Sequence, residues 1–587
     1  MKRLMFSLAA GGLFFLSSQA VPANPDLREM TLPDGSSISV RLIGDEIHHF
    51  YQSEDGYPLM LGSDGYFYYM VVNEEGIATS SEIKYGSTSA SVYNKPDKSS
   101  LYKALNRERE QRAFSRNLKT RAPGASTFPT TGDIRGIVVL VEYQDVKFSI
   151  SNPREAFDRL LNEPGYSDND AYGSVYDWFS ENSQGKFNPV FDVYGPLTLD
   201  YNMAYYGANT GGASDMNSHY MTIEACRQLD PEIDFTIYDC DGDGYIDNVY
   251  VFYAGYGEQD GGGADAVWPH SWDIGNFTNE VFDGVKLDHY ACSNELDGKS
   301  VMTAIGVFCH EFGHVLGLPD LYTTVYNEAF TPGDWDVMCS GSYNNNSRTP
   351  PLYSAFERYS LGWIEPRELT GEGENVCLLP LVENDAYIIR TEKENEYFLL
   401  ENRQKEGWDS FIPNHGMLIW HIDFDIKYWA ANIVNNDPNH QRVDIEEADG
   451  TQSVNSVTGD CFPGVRKVRS FTDDTRPNML SWSGQRQNKP ITEITEENGN
   501  IYFKVSGGAD DAGMTEISDD STTFNVMVKG RMIEIENVSS SEIVVYALDG
   551  RVAARLRADR GNISFEMPAS GCYIITDGMN AKKMIVY

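Results

Sequence analysis

The hydrophobic and polar residues of this chain follow two periods, which predict both strands and helices. From Tyr51 to Val72, short β-like runs alternate with Gly and Asp turns, as in antiparallel strands. From Arg135 to Phe148 the chain is apolar and β-branched, as in a buried strand. Helical spacing follows from Pro153 to Leu161 and from Gly173 to Phe187, and a strand-like run returns from Phe191 to Leu199. This β-α-α-β order favours an α/β domain.

Three further segments have helical spacing, from Leu101 to Arg121, from Val301 to Leu318 and from Pro350 to Ile364. The first is a basic island in an otherwise acidic protein. It is either a solvated connecting helix and linker or an activation segment, because exposed Lys and Arg sites in linkers are easily cleaved. Short β-like runs then dominate the chain from residue 368 onward.

The pattern predicts a multidomain chain in which an α/β domain follows an N-terminal β-rich module and precedes C-terminal β-sandwich-like domains. We place a signal peptide at residues 1–20 and the β-rich module with its basic linker at 21–121. The α/β domain occupies 122–367, a β-rich domain packed on it occupies 368–507, and a small acidic linker covers 508–523. Residues 524–587 form a last β module.

Charge and the N-terminus narrow the possible functions. The 587 residues include 46 Lys and Arg against 87 Asp and Glu, a formal net charge of −41. Such a field repels nucleic acids and anionic lipids, so we expect no nucleic-acid partner. Lys2, Arg3, an apolar run and the small-residue site at Ala20 predict a secretory signal, with Ala23 as the second cleavage choice. We find no stretch of the roughly 20 apolar residues that span a bilayer, so we expect a secreted or cell-surface protein without an integral membrane span.

The segment from Val301 to Leu318 carries His310, Glu311 and His314 in the order H-E-x-x-H. Helical residues four apart share a face, so the two imidazoles can bind one ion. Glu311 lies beside the first ligand, where it can deprotonate a metal-activated water as general base. Gly317 can adopt positive φ and end the helix, and the returning chain brings Asp320 to the metal as third ligand. A structural pair of histidines is the alternative.

A second candidate metal site is the loop D-C-D-G-D-G-Y-I-D. Alternating oxygen ligands, a Gly at the sixth place and a backbone carbonyl at the seventh are what a calcium loop requires. The twelfth place of an EF-hand is a Glu, whereas this chain has Tyr250 in a strand-like run. The loop therefore predicts bound calcium without an EF-hand, and a plain Asp-Gly turn is the alternative. The proposed ligands are Asp239, Asp241, Asp243, Tyr245 through its carbonyl, and Asp247.

Together, H-E-F-G-H-V-L-G-L-P-D-L-Y, the later W-D-V-M-C-S-G-S-Y and the acidic loop resemble the immune inhibitor A family of secreted bacterial metalloproteases, which is metzincin-like. The resemblance implies a metzincin-like α/β catalytic domain in which His310, His314 and Asp320 bind zinc. It also implies that Met338 forms the floor beneath the metal. Metzincins often have a Tyr two residues past this Met, where this chain has Ser340, so Tyr343 is the nearest candidate transition-state donor.

We therefore predict a secreted zinc endopeptidase, supported by calcium and made as a zymogen, that acts on protein or peptide substrates. No Cys precedes Cys226, so the N-terminal module would inhibit through an Asp carboxylate or by steric blockage. The C-terminal module resembles sorting modules of the type IX export system, and an ordinary accessory domain is the alternative.

Two alternative hypotheses remain, one about the third metal ligand and one about the function of the chain. A thermolysin-like site would use Glu357 as third ligand. A non-catalytic, metal-stabilised adhesin would use its β domains for binding, with recruited histidines at His270, His289, His415 and His421. Cys309 and Cys339 could form a disulfide in an exported protein, and the alternative is that both are buried thiols.

Overall fold

The structure is a computed structural model. It describes residues 19–87, 93–115, 128–209, 215, 217–275, 278–371 and 373–506, and then 525–529, 531–538, 542–547, 552–557, 561–567, 571–576 and 581–586. The greater part of the predicted signal peptide, the last six residues of the predicted basic segment (116–121) and the acidic linker at 508–523 lie outside these residues.

The N-terminal module is one antiparallel six-stranded meander with a helix packed against it. Gly residues with positive φ, such as Gly56 and Gly65, close its tight turns, which fits the predicted β-rich pattern. The predicted helix is observed, beginning three residues earlier than expected. The elements are β1 (Arg28–Thr31), β2 (Ser37–Gly44), β3 (His49–Ser53), β4 (Pro58–Leu61), β5 (Phe67–Val72), β6 (Ala78–Lys84) and α1 (Lys98–Ser115).

The following region is mixed α/β and is built on a five-stranded sheet in the order β11-β14-β10-β7-β8. Strands β14, β10, β7 and β8 are parallel to one another, and the edge strand β11 is antiparallel to β14. The elements are β7 (Gly132–Glu142), α2 (Pro153–Asn162), α3 (Val175–Ser183), β8 (Phe187–Thr198), α4 (Met203–Gly207), α5 (His219–Leu229), β9 (Tyr245–Ile246), β10 (Val249–Tyr256), β11 (His270–Asp273), β12 (Val281–Phe282), β13 (Val285–Leu287), β14 (His289–Leu296), α6 (Ile305–Val315) and α7 (Ala355–Ser360).

Burial on both faces of strand β7 explains why its sequence is continuously apolar from Gly136 to Val141. Val138 and Leu140 face the core formed with α2, α3 and α6, whereas Ile137 and Val139 face the core formed with α5. Successive side chains of a strand point to opposite faces, so a strand covered on both faces needs apolar residues at every position. The prediction of a buried strand here is confirmed.

The helix predicted from Pro350 to Ile364 is shorter than expected. Pro350 and Pro351 begin the segment without helical structure, and α7 covers only six residues after the Ser354 cap. Gly362 has φ +77° and follows the helix end. The expectation was too long because the chain can turn away at a glycine in that conformation.

Two smaller sheets follow, in the orders β15-β17-β18-β19-β20 and β16-β22-β21. One face of the first sheet, including Leu399 and Trp420, joins the core around α6, and its other face packs on the second sheet. The elements are β15 (Arg367–Glu368), β16 (Glu374–Leu378), β17 (Ala386–Arg390), β18 (Glu396–Arg403), β19 (Gly416–Asp423), α8 (Ile426–Ala430), β20 (Val443–Ile445), β21 (Ile491–Glu497) and β22 (Asn500–Val505).

The C-terminal module contains a three-stranded sheet, β23-β24-β27, and a four-stranded sheet, β26-β25-β28-β29. Ile533, Ile543 and Ile575 contribute to its apolar core. The strands are β23 (Asn525–Lys529), β24 (Met532–Val538), β25 (Glu542–Ala547), β26 (Val552–Arg557), β27 (Gly561–Glu566), β28 (Gly571–Thr576) and β29 (Ala581–Val586).

Two general findings bear on the chain as a whole. Within the described ranges, no helix combines the length and the apolar character needed to cross a bilayer. Cys309 and Cys339 are both buried free thiols, so the disulfide between them is not formed. Cys226, Cys240, Cys292 and Cys461 are free thiols as well.

Candidate functional site

Helix α6 carries the H-E-x-x-H motif through the centre of the protein. All eleven of its residues are buried, which fits a helix that is apolar on every side. Its glycines allow close packing, because a Cβ on Gly306 would lie 1.9 Å from the backbone oxygen of Ser342. A Cβ on Gly313 would lie 2.5 Å from the sulfur of Met338. The segment around Met338 therefore lies directly against the helix between the two histidines.

The three predicted zinc ligands converge. The Nε2 atoms of His310 and His314 are 3.1 Å apart, and each lies 3.2 Å from Oδ1 of Asp320. The turn works as predicted: Gly317 has φ +98°, and the N–H of Leu318 donates to the carbonyl of Gly313 at 3.0 Å. The residues His310, His314 and Asp320 form one of two groups of metal-binding side chains found among the described residues.

This group fits a zinc ion. Ligand atoms about 2.0–2.1 Å from a tetrahedral zinc lie roughly 3.3 Å from each other, close to the observed spacing. Nδ1 of His310 lies 2.8 Å from the carbonyl of Val337, and Nδ1 of His314 lies 2.8 Å from that of Leu318. Such contacts keep the proton on Nδ1 and leave Nε2 as the ligand atom. Oδ1 of Asp320 is buried without a hydrogen-bond partner among the described residues, as expected for a metal-binding oxygen.

The protonation states also suit a cation. Burial lowers the pKa of His310 and so favours the neutral imidazole that binds metal. Burial alone would raise the pKa of Asp320, but the two adjacent imidazoles outweigh it and hold that pKa well below its usual range. His310 therefore presents a neutral nitrogen and Asp320 presents a carboxylate, and both suit a bound cation.

Asp320 is held from outside the α/β region by Asn432, a residue that the sequence did not single out. The backbone N–H of Asp320 donates to Oδ1 of Asn432 at 2.7 Å, and Nδ2 of Asn432 donates to Oδ2 of Asp320. Asn432 has φ +54° just beyond α8, a conformation that Asn tolerates better than most residues. It lies 112 positions away along the chain, so no local motif could have revealed it.

Glu311 faces the same cleft but contributes none of the three ligand atoms. Its Oε1 accepts a hydrogen bond from the backbone N–H of Val21 at 2.7 Å. Its Oε2 is buried without a partner among the described residues. Burial raises the pKa of Glu311 well above its usual range. A carboxyl group in this position can exchange a proton with a group bound in the cleft.

The two other residues predicted for this site, Met338 and Glu357, occupy different positions relative to the metal-binding group. Met338 is fully buried and packs beneath the helix, as its expected floor position requires. Glu357 instead caps α7, where its Oε2 accepts the Ser354 N–H at 2.6 Å. It is absent from the metal-binding groups found in the described part of the chain. This geometry favours Asp320 over Glu357 as third ligand.

The cleft above the metal group is filled by residues 19–23, which sequence reasoning placed at the signal-peptide boundary. Gln19 pairs with Ser271 of edge strand β11 through two backbone hydrogen bonds, of 3.3 and 2.7 Å. Ala20 and Val21 are fully buried. The segment thus extends the five-stranded sheet at its edge, as a bound peptide does in β-strand addition.

Each successive carbonyl of this segment receives a hydrogen bond from a different side chain of the α/β region. The distance is 2.9 Å at Val21 and 2.7 Å at Pro22. The predicted residue Tyr343 is therefore in the cleft, and two further contact residues were missed by the sequence analysis. The donors are the hydroxyl of Tyr322 for Ala20, the indole of Trp268 for Val21 and the hydroxyl of Tyr343 for Pro22.

The acidic loop forms the second group. One carboxylate oxygen each of Asp239, Asp241 and Asp247 lies within 4.8 Å of the others. Asp243 lies outside this group, and its Oδ1 accepts the N–H of Tyr245 at 3.0 Å. Oδ1 of Asp247 is buried without a partner among the described residues, and burial raises the pKa of Asp247 to about 6. Strand β10 follows the loop, as the sequence predicted in place of an EF-hand helix.

The four histidines considered for a binding protein have local partners. His421 lies between Glu396 and Glu446, at 3.1 Å from each. His415 contacts Glu496 at 2.7 Å, and the other two pack in the α/β region. The partners are Tyr290 for His270 and Asn248 for His289.

Comparison with known proteins points to one family. Residues 143–365 match the family described as immune inhibitor A peptidase M6, catalytic domain. Similar proteins include the pre-pro-metalloprotease PrtV of two Vibrio cholerae serotype O1 strains, 29% identical over 265 residues. Immune inhibitor A of Bacillus thuringiensis subsp. alesti is 27% identical over 272 residues.

These matches are partial. The alignment with PrtV covers 39% of this chain and 29% of the Vibrio protein, and that with the Bacillus protein covers 38% and 39%. The chain thus spans less than half the length of these relatives. Both metal-binding groups fall inside residues 143–365, whereas Asn432 and the cleft segment fall outside them.

Proposed function

We propose that this chain is an exported zinc endopeptidase made as a zymogen, from the premise that residues 143–365 match the immune inhibitor A family of metalloproteases. The observation that carries the proposal is the convergence of His310, His314 and Asp320, with ligand atoms 3.1–3.2 Å apart, beside the buried Glu311. The antiparallel edge strand along the cleft supports a metzincin-like catalytic domain.

The proposed chemistry is hydrolysis of a peptide bond. A bound zinc ion supplies Lewis acidity, which polarises a carbonyl and lowers the pKa of water. Glu311 takes a proton from the attacking water and passes it to the leaving amine. Edge strand β11 orients the substrate backbone, and Trp268 and Tyr343 bind its carbonyls. Met338 packs beneath α6 and keeps the ligand helix in place.

The zymogen proposal is supported by the contents of the cleft. Residues 21–23, which begin the N-terminal module after the predicted cleavage at Ala20, cover Glu311, so a substrate cannot reach it while they are bound. The N-terminal module holds them there through Arg28, whose guanidinium pairs with Asp260 at 2.7 Å, and through the stacking of His49 on Trp268 with ring centroids 5.1 Å apart. Of the two inhibitory modes predicted, steric blockage is the one that these contacts favour.

We also propose that the acidic loop binds calcium through Asp239, Asp241 and Asp247, with Asp243 and the carbonyl of Tyr245 completing the set when the ion is present. The support is the unpartnered buried oxygen of Asp247 among three clustered carboxylates. A cation would offset their mutual repulsion. The loop lies between α5 and β10, so the ion would have a structural role.

For the C-terminal module at 524–587 we propose a role in export. The small two-sheet arrangement of β23 to β29 is compatible with a sorting module. Deleting residues 524–587 should leave the protein in the cells and its catalytic activity in lysates unchanged. Normal export of the deleted chain would contradict the proposed role.

The proposed activity is tested by comparing the parent chain with Glu311→Ala. Both are loaded with zinc, nicked in the basic linker with trypsin and, after trypsin is inhibited, assayed on casein. We expect one zinc per chain in both proteins and hydrolysis by the parent alone, because the variant keeps the ligands and loses the base. Activity in Glu311→Ala, or a zinc-loaded parent without activity, would contradict the proposal.

A further inference from the structure

One peptide bond of the N-terminal segment is hydrogen-bonded by the candidate site at both its nitrogen and its oxygen. The N–H of Val21 donates to Glu311 at 2.7 Å, and the hydroxyl of Tyr322 donates to the carbonyl oxygen of Ala20. The nitrogen and the oxygen of the Ala20–Val21 bond therefore contact two different side chains. Hydrolysis needs this same division, since the group that moves protons must reach the nitrogen and a hydrogen-bond donor must reach the oxygen.

The flanking contacts place the segment as a substrate would lie. Gln19 pairs antiparallel with Ser271, and the carbonyl of Val21 accepts the indole N–H of Trp268. These contacts use backbone atoms of the segment, so any peptide can make them. The segment thus marks where the scissile bond of a substrate lies and which residues surround it.

We propose that Tyr322 is a catalytic residue, whose hydroxyl stabilises the oxygen of the scissile carbonyl as its carbon becomes tetrahedral; this rests on the proposed peptidase function. Water oxygen bonds to the carbonyl carbon while Glu311 takes a water proton. The carbonyl π electrons move to the oxygen that Tyr322 contacts, and Tyr322 keeps its own proton. When the C–N bond breaks, the electron pair on the oxygen re-forms the carbonyl and Glu311 returns the proton to the leaving nitrogen, which gives a carboxylic acid and an amine.

The geometry assigns this role to Tyr322 and a different one to Tyr343. Tyr343 contacts the carbonyl of Pro22, two residues beyond Ala20. Extended backbone advances about 3.3 Å per residue, so the two carbonyl oxygens lie several ångströms apart and one hydroxyl cannot serve both. Tyr322 follows Asp320 by two residues, and the N–H of Leu321 between them donates to the carbonyl of Met338 at 2.8 Å. The turn that brings the third ligand therefore also positions this hydroxyl.

The test uses the exported full chain, zinc-loaded and nicked with trypsin, as parent, Tyr322→Phe and the matched control Tyr343→Phe. An internally quenched peptide gives kcat and KM, and calorimetry gives the affinity for a phosphinic peptide, whose tetrahedral phosphinate resembles the transition state. For Tyr322→Phe we expect kcat to fall about 100-fold or more, as when an oxyanion-binding donor is removed. KM should stay within threefold, and phosphinic-peptide affinity should fall by a similar factor to kcat.

Tyr343→Phe should instead raise KM several-fold with kcat within threefold, since it binds a carbonyl that does not react. Zinc content and the thermal midpoint should match the parent in both variants, which separates the loss of a hydroxyl from misfolding. An active parent with an equally active Tyr322→Phe of unchanged phosphinic-peptide affinity overturns the role of Tyr322 alone. A zinc-loaded parent that hydrolyses nothing overturns the proposed function, and the role of Tyr322 with it.

Discussion

Replacing Asn432 by Ala should weaken zinc binding although Asn432 contributes no ligand atom. The change removes both hydrogen bonds that hold Asp320, and Asn432 itself is buried. A hydrogen bond to a charged group contributes about 1.5–3 kcal/mol. Loss of a partner that orients a metal ligand typically lowers metal affinity about 10- to 100-fold, or roughly 1.4–2.7 kcal/mol. The two estimates agree, so we expect a Kd for zinc raised about 10- to 100-fold.

The assay is competition for zinc between the protein and a chelator of known affinity. Asn435→Ala is the matched control, because Asn435 is also buried and its Nδ2 donates to the carbonyl of Leu321 at 2.8 Å without contacting the Asp320 side chain. The control should lower the thermal midpoint of the metal-free protein and leave the zinc Kd within threefold of the parent value. Parent-like zinc affinity in Asn432→Ala would refute the reasoning.

Three further predictions concern stability. Gly306→Ala should destabilise the α/β region by about 1–2 kcal/mol. Overpacking against the Ser342 carbonyl costs about 1–3 kcal/mol, which exceeds the gain of up to ~1 kcal/mol from the higher helix propensity of Ala. An unchanged Tm would contradict this prediction. Asp241→Ala should abolish the fall in Tm that a calcium chelator causes in the parent, and a parent-like response would remove the proposed site. Burial alone lowers the pKa of His421, but hydrogen bonds to Glu396 and Glu446 outweigh it and raise that pKa to about 9. Charged His421 therefore stabilises the fold fully below about pH 6.5, and this stabilisation is lost as pH rises through about 9. The Tm of the parent should fall over this pH range, and the Tm of His421→Gln should lack this fall.

The local parts of the zinc site were predictable from sequence. Residues four apart on a helix must share a face, and a glycine after the second histidine can turn the chain back. The spacing therefore predicted that Asp320 approaches His310 and His314, while Glu357 stayed open as an alternative third ligand. The observed φ of Gly317 shows the same turn. The buried centre of strand β7 was equally predictable, because a stretch covered on both faces, here Gly136 to Val141, has no polar positions.

The long-range parts of the site could not be predicted in this way. Asn432 reaches Asp320 only because the first downstream sheet packs on the core around α6, and spacing along the chain carries no information about that packing. The cleft segment at residues 19–23 was assigned only as a processing site, since its own pattern is short and apolar. Tyr322 had a local signal in its place two residues after Asp320, but its contact with a peptide carbonyl emerges only from the fold.

The central claim is that one zinc ion held by His310, His314 and Asp320 supports peptide hydrolysis. The most direct measurement is to strip the trypsin-nicked protein of metal, titrate zinc back and follow both binding and hydrolysis of a quenched peptide. The account predicts no activity without metal and a linear rise that ends at one bound zinc per chain, with no rise in Asp320→Ala at the same zinc concentrations. Full activity in the metal-free protein, or zinc-dependent activity in Asp320→Ala equal to that of the parent, would contradict it.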